Sequence, residues 1–162
     1  MTRGPRLEGL RRFDYVPAMT GTHTTWTLRC DGGARGNPGP GAIGYALFDP
    51  TGKEIEARGE RLGVVTNNVA EYEALIAGLE AARRLGAERL VVYMDSELVV
   101  RQMTGEYRVK HPGLIPLHQR AGEVAGRLGA VQFRAVRREQ NARADGLVNM
   151  TLDGERETES PR

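Results

Sequence analysis

The hydrophobic period of this chain changes between residues 62 and 72, and that change constrains the fold more than any other feature. Before it, three runs alternate apolar and polar residues. TTWTLRCDG puts Trp26, Leu28 and Cys30 on one face, and GAIGYALFD alternates through Ile43, Tyr45 and Leu47. KEIEARGERL returns after the turn Pro50-Thr51-Gly52. Alternation of this kind marks half-buried strands, and short connections make neighbours antiparallel. After the change, Tyr72, Leu75, Ile76, Leu79 and Ala82 recur at helical spacing, and Gly86 supplies a stop. RLVVYMD then reads as a buried strand, residues 96–103 as a short helix, and residues 114–128 as a helix bounded by Pro112-Gly113 and Gly129. VQFRAV is a fifth strand, and Asn141 to about Thr151 closes the chain with a helix that turns Leu147, Val148 and Met150 inward. The order βββαβααβα predicts an α/β fold. It is a five-stranded mixed sheet, three antiparallel strands and then parallel additions, with helices on its faces.

No repeat or linker divides residues 24–152, and 162 residues at 40% hydrophobic suit one core. One domain is therefore expected there. Residues 1–23 lack sustained periodicity and carry Gly4, Pro5, Gly9, Pro17 and Gly21, which predicts a disordered leader. Its arginines read as solvated. Residues 153–162 are polar and read as a flexible tail. No stretch approaches the roughly 20 apolar residues of a membrane span. No apolar segment precedes residue 24 as a secretory signal would require. Cys30 is the sole cysteine, reads as a small buried residue, and cannot form an internal disulfide. A monomeric cytoplasmic protein without membrane contact is the expectation. The formal net charge of +2 permits a nucleic-acid partner without arguing for one.

Four carboxylates carry the chemistry: Asp31 in LRCDGGARGNPGPG, Glu71 in TNNVAEYEAL, Asp95 in VVYMDSELVV and Asp145 in NARADGL. Each is expected where a strand meets a loop or helix. Each also has a plainer explanation. Asn68 to Glu71 fits a capping box, Asp95 fits a helix cap, Asp31-Gly32-Gly33 fits a turn, and Asp145 fits an exposed helical acid. All four coincidences in one fold are harder to accept than one shared purpose. Carboxylates brought together repel unless a cation neutralises them, so a divalent metal is the simplest purpose. Gly39 to Gly44 matches GxGxxG, but Ile43, Tyr45 and Leu47 continue as a strand, where a dinucleotide fingerprint opens a helix. The loop's backbone N–H groups and Asn37 suit a phosphodiester instead. His23, His111 and His118 have no metal-ligand spacing, and no Ser or Thr has a triad.

DGGARGNPGPGAIGYAL, TNNVAEYEALIAGLEA, VVYMDSELVV and REQNARADGLVN resemble, in order, the successive motifs of type 1 ribonuclease H. The resemblance covers about residues 25–152 and implies a ribonuclease H-like fold. It implies metal-dependent cleavage of the RNA strand of an RNA/DNA hybrid, leaving 5′-phosphate and 3′-hydroxyl ends. Asp31, Glu71, Asp95 and Asp145 match the metal-binding catalytic acids. They would hold two Mg²⁺ ions once substrate is bound, with Mn²⁺ as a substitute. Such ions can activate water and stabilise the leaving oxygen. Gly32, Asn37, Thr66, Asn67 and Asn68 match positions that contact the hybrid. Amides can both donate and accept there, and a contact to the 2′-OH separates RNA from DNA. Contacts of this kind carry no sequence specificity.

Three departures stand out. The loop before the last acid reads Arg137-Arg138-Glu139-Gln140-Asn141, without the histidine many relatives carry, which makes Arg138 or Glu139 its substitute. Glu97 stands where some relatives have a glutamine. The basic protrusion is reduced to Arg101, Arg108, Lys110 and His111, which predicts weaker and less salt-sensitive binding. Arg134, Arg137, Arg138 and Arg143 form either a basic rim or a solvated face. Two other readings stay open: a catalytically silent module that binds hybrid or duplex, and an enzyme that also cleaves double-stranded RNA.

Overall fold

The computed structural model describes residues 24–154. The expected leader, and the expected tail beyond residue 154, lie outside the described residues. Strands β1 (Thr25–Ala34), β2 (Gly39–Phe48) and β3 (Glu54–Val65) come first, followed by helix α1 (Asn67–Arg84). Then follow β4 (Arg89–Met94), α2 (Glu97–Met103), α3 (Ile115–Gly126), β5 (Ala130–Ala135), a 3-10 turn (Arg138–Gln140) and α4 (Ala142–Leu152). The sheet order is β3-β2-β1-β4-β5. β1–β2 and β2–β3 are antiparallel, whereas β1–β4 and β4–β5 are parallel. This is the mixed sheet that the period change predicts.

The two faces of the sheet explain its sequence. Ile43, Tyr45 and Leu47 of β2 join Leu28 and Cys30 of β1 in the core, under α1. That helix buries Tyr72, Leu75, Ile76, Leu79 and Ala82, the residues its period singled out. The intervening Ala42, Gly44 and Ala46 are also buried, since α4 packs on β1, β2 and β3. Small residues are what a strand needs where a helix backbone lies close. A fully buried leucine stabilises the fold by roughly 1.5–3 kcal/mol over an exposed one. Leu28, Leu47, Leu75, Leu79 and Leu90 are all fully buried. Gly86 has φ +94°, which lets the chain leave α1 and turn into β4. The buried Tyr72 hydroxyl donates to Oε1 of Gln102 at 2.6 Å, tying α1 to α2.

One detail of register prepares the site. The β1–β4 ladder runs from Thr25↔Arg89 to Arg29↔Tyr93, while β1 stays paired with β2 as far as Ala34. Asp31 therefore lies inside a strand, opposite Gly44, and not at a strand end as expected. On its β4 side the ladder has already stopped at Arg29, two residues before Asp31.

Candidate active site

Three of the four acids meet. Carboxylate oxygens of Asp31, Glu71 and Asp95 all lie within 4.8 Å of one another. Asp31 comes from β1, Glu71 from the second turn of α1, and Asp95 from the residue after β4. Gly32 makes the first pairing work. A Cβ at Gly32 would stand 2.1 Å from the carbonyl oxygen of Ala70, so only glycine lets α1 approach this closely. The Gly32 N–H donates to Oε1 of Glu71 at 3.2 Å, which aims that side chain along β1.

The plainer explanations of Glu71 and Asp95 do not hold. The cap of α1 is Thr66, whose hydroxyl accepts from Val69 N–H at 3.2 Å, so Asn68 and Glu71 form no capping box. The cap of α2 is Ser96, which accepts from Val99 N–H at 3.2 Å. Asp95 is released from capping, and its buried Oδ2 has no hydrogen-bond partner among the described residues. An unsatisfied buried acceptor costs about 1–3 kcal/mol, more when charged. A divalent cation would remove that cost, and three converging carboxylates are the hard-oxygen set that Mg²⁺ takes.

Protonation reports the same crowding. Burial, and then the charges of Asp95 and Asp145, push Asp31 up to about 8. Glu71 is raised well above the carboxylate range by burial and by Asp31 and Asp95. Burial raises Asp95 as well, with Asp145 adding to it and Arg138 opposing. Burial, then Glu71, Asp31 and Asp95, raise the Cys30 thiol beneath them. That thiol is fully buried, as the sequence predicts.

Asp145, in the first turn of α4, stands close enough to Asp31 and Asp95 to repel both, but outside the three-acid group. Its Oδ2 accepts from Nδ2 of Asn149 at 3.3 Å. The preceding loop separates the two candidates for the missing histidine. The positive charge of Arg138 pulls Asp31, Glu71 and Asp95 toward their ionised forms. Glu139 pairs with Arg137 at 3.0 Å on the exposed side of the loop. The expected basic rim is thinned too, because Arg143 forms a two-pronged pair with Glu54, both bonds 3.0 Å.

Asn141 has a role the sequence hid. It is fully buried, and its Nδ2 donates to the Cys30 carbonyl at 3.0 Å. This bond fastens the start of α4 to β1 one residue from Asp31. Arg29 adds a second fastening, donating to the Gln140 carbonyl at 3.0 Å while stacking over Tyr93. An Asn just before a helix looks like a cap from sequence, yet this side chain makes no capping bond.

The expected substrate residues gather beside the acids. Asn37 Oδ1 accepts from Asn67 N–H at 2.9 Å, and Asn67 Oδ1 accepts from Ala34 N–H at 2.9 Å. This clasp joins the β1–β2 turn to the start of α1. It uses both amide oxygens. Asn37, Thr66, Asn67 and Asn68 are exposed, while Gly32 is buried at the acids. On α2, Glu97 is held by Arg101 at 2.8 Å, and Arg101 also pairs with Glu106.

Comparison with known proteins gives a consistent result. Residues 29–151 match the family model described as reverse transcriptase-like. Ribonuclease HI of Halobacterium salinarum is 42% identical over 123 residues, 76% of this chain and 62% of that protein. A bifunctional protein of Mycobacterium tuberculosis, Rv2228c, is 42% identical over 127 residues, and the chain spans only 35% of its length. The crystal structure of the Halobacterium salinarum enzyme superposes with TM-score 0.77 at 40% identity, covering 80% of this chain and 98% of that one. LC11-RNase H1, solved in complex with an RNA/DNA hybrid, superposes with TM-score 0.73 at 42% identity, covering 79% and 96%. Sequence and backbone agree across nearly all the described residues, and the chain belongs to the type 1 ribonuclease H family.

Proposed function

We propose that this chain is a metal-dependent endoribonuclease that hydrolyses the RNA strand of RNA/DNA hybrids, leaving 5′-phosphate and 3′-hydroxyl ends. The convergence of Asp31, Glu71 and Asp95 within 4.8 Å carries the reading. These acids and Asp145 would hold two Mg²⁺ ions, or Mn²⁺ in their place, once substrate oxygens complete the site. Bound cations would lower the pKa of an attacking water and offset charge on the leaving oxygen. The chain's own residues do the rest. Asp31 and Glu71 are fixed to each other through Gly32, so the cluster is preorganised. Arg138, rather than Glu139, takes the place of the family's loop histidine, supplying positive charge beside the acids. Asn37, Thr66, Asn67 and Asn68 hold the hybrid through its sugars and minor groove, with Gly32 letting the backbone approach. Relatives named ribonuclease H and a neighbour solved with a hybrid support the substrate class. A monomer acting in the cytoplasm belongs to the same proposal. Among the described residues no helix is long and apolar enough to cross a membrane.

Asp31→Asn and Asp95→Asn test the assignment. Each should lower hybrid cleavage by about a thousandfold, the effect of losing about 4 kcal/mol of metal-derived stabilisation. Hybrid binding, measured by fluorescence anisotropy, should change little. Turnover within tenfold of the unaltered protein would rule the assignment out. Weakened binding with unchanged turnover would do the same.

A further inference from the structure

We infer that Arg35 and Asn149 are positioning residues that set the orientation of Asp145 toward a divalent cation; this rests on the metal reading above. Asp145, Asn149 and Asp153 are spaced by four, so they share one face of α4 and its end. Asn149 Nδ2 donates to Asp145 Oδ2 at 3.3 Å. Arg35 Nη2 donates to Asn149 Oδ1 at 3.5 Å, and Arg35 Nη1 donates to Asp153 Oδ1 at 2.8 Å. A guanidinium only donates, so it can hold an amide by its oxygen alone. This contact favours the Asn149 amide with its NH₂ toward Asp145. One oxygen of Asp145 thus accepts from a donor, and the other is left to serve a cation.

The stability of the fold does not explain this arrangement. Arg35 and Asp153 have half-exposed side chains, 50% and 54%, and pairs of that kind contribute roughly 0–1 kcal/mol. Its location explains it better. Asp145 is the one acid of the four outside the three-acid group, which it meets through Asp31. Arg35 lies two residues from Asn37 in the β1–β2 turn, the turn that Asn37 clasps to α1. The chain from Arg35 through Asn149 thus connects the turn offered to the hybrid with the acid whose cation needs the hybrid's oxygens.

The test uses Asn149→Ala, Arg35→Ala and the double variant, with Arg35→Lys as the conservative replacement. Mn²⁺ binding to each full-length protein is read by electron paramagnetic resonance without substrate. The Mg²⁺ concentration giving half-maximal hybrid cleavage is read separately. Groups that orient a metal ligand typically change metal affinity or activity by about 10–100-fold. Asn149→Ala should raise the half-maximal Mg²⁺ about tenfold and weaken Mn²⁺ binding. The KM for hybrid at saturating Mg²⁺ should stay within about twofold. Arg35→Ala should act in the same direction by less, Arg35→Lys should recover part of the loss, and the double variant should be no worse than Asn149→Ala. Unchanged metal dependence and Mn²⁺ affinity in both single variants would overturn the inference and leave the cleavage assignment standing. A raised KM with unchanged metal dependence would overturn it too, making Arg35 a substrate contact. If the unaltered protein bound no Mn²⁺ and cleaved no hybrid, the metal reading itself would fall.

Discussion

At the scale of single residues, the site is a set of charges that the fold holds together against their repulsion. That has a measurable consequence without metal. The Asp31 carboxyl titrates near 3.8 when free and at about 8 in the folded protein. The folded state therefore retains a proton that the unfolded chain releases between those values. Stability then falls as pH rises through that window, because the native state binds more protons. In chelator, the melting temperature should drop from pH 4 toward pH 8, and Asp31→Asn should flatten the drop and melt higher than the unaltered protein at pH 8. Saturating Mg²⁺ should reverse the trend, since a cation favours the ionised cluster. A melting temperature that rises steadily to pH 8 in chelator would contradict this electrostatic picture. All four acids were visible in the sequence because each stands in or beside a segment whose strand or helix character could be read from its apolar pattern. The residues that hold them were not. Asn141, Asn149 and Arg35 act through contacts between positions 111, 4 and 114 residues apart, and a polar residue in a loop or on a helix face carries no mark of such a partner.

Among the elements, the decisive event is the approach of α1 to β1. Strand and helix types followed from period alone, and even the 3-10 turn fell inside a segment expected as a loop. Capping was less legible. Thr66 and Ser96, not Asn68 and Asp95, make the capping bonds. Polar residues one or two positions apart are all competent caps, and only the backbone conformation decides between them. Had Asp95 capped α2, its carboxylate would have been spent on a backbone N–H. Gly32→Ala tests the approach. Its methyl would sit 2.1 Å from the Ala70 carbonyl, so α1 must shift and carry Glu71 with it. The expected cost is on the order of 2 kcal/mol or more in urea unfolding, of the kind overpacking produces. Mn²⁺ affinity should fall with it. A variant as stable as the parent, with full metal affinity, would mean that α1 does not need this contact.

For the molecule as a whole, the question is how a chain with formal net charge of only +2 would hold a polyanion. In the region that replaces the basic protrusion, Arg101 is matched by both Glu97 and Glu106. Glu97→Gln should tighten hybrid binding a few-fold and steepen its salt dependence by up to about one unit of slope. No change across a salt series would show that α2 lies off the path of the hybrid. Binding would then depend mainly on the amide clasp and the acids with their cations.

The most direct measurement is a 5′-labelled RNA strand annealed to DNA, annealed to RNA, or left single, and incubated with Mg²⁺, with Mn²⁺ or with chelator. Cleavage of the RNA in the hybrid is expected only when metal is present, with 3′-hydroxyl ends on the labelled fragments. Cleavage of the RNA duplex as well would widen the substrate while leaving the metal centre in place. Binding of the hybrid without cleavage under either metal would contradict the account, and would make the converging acids a feature of a protein that only binds.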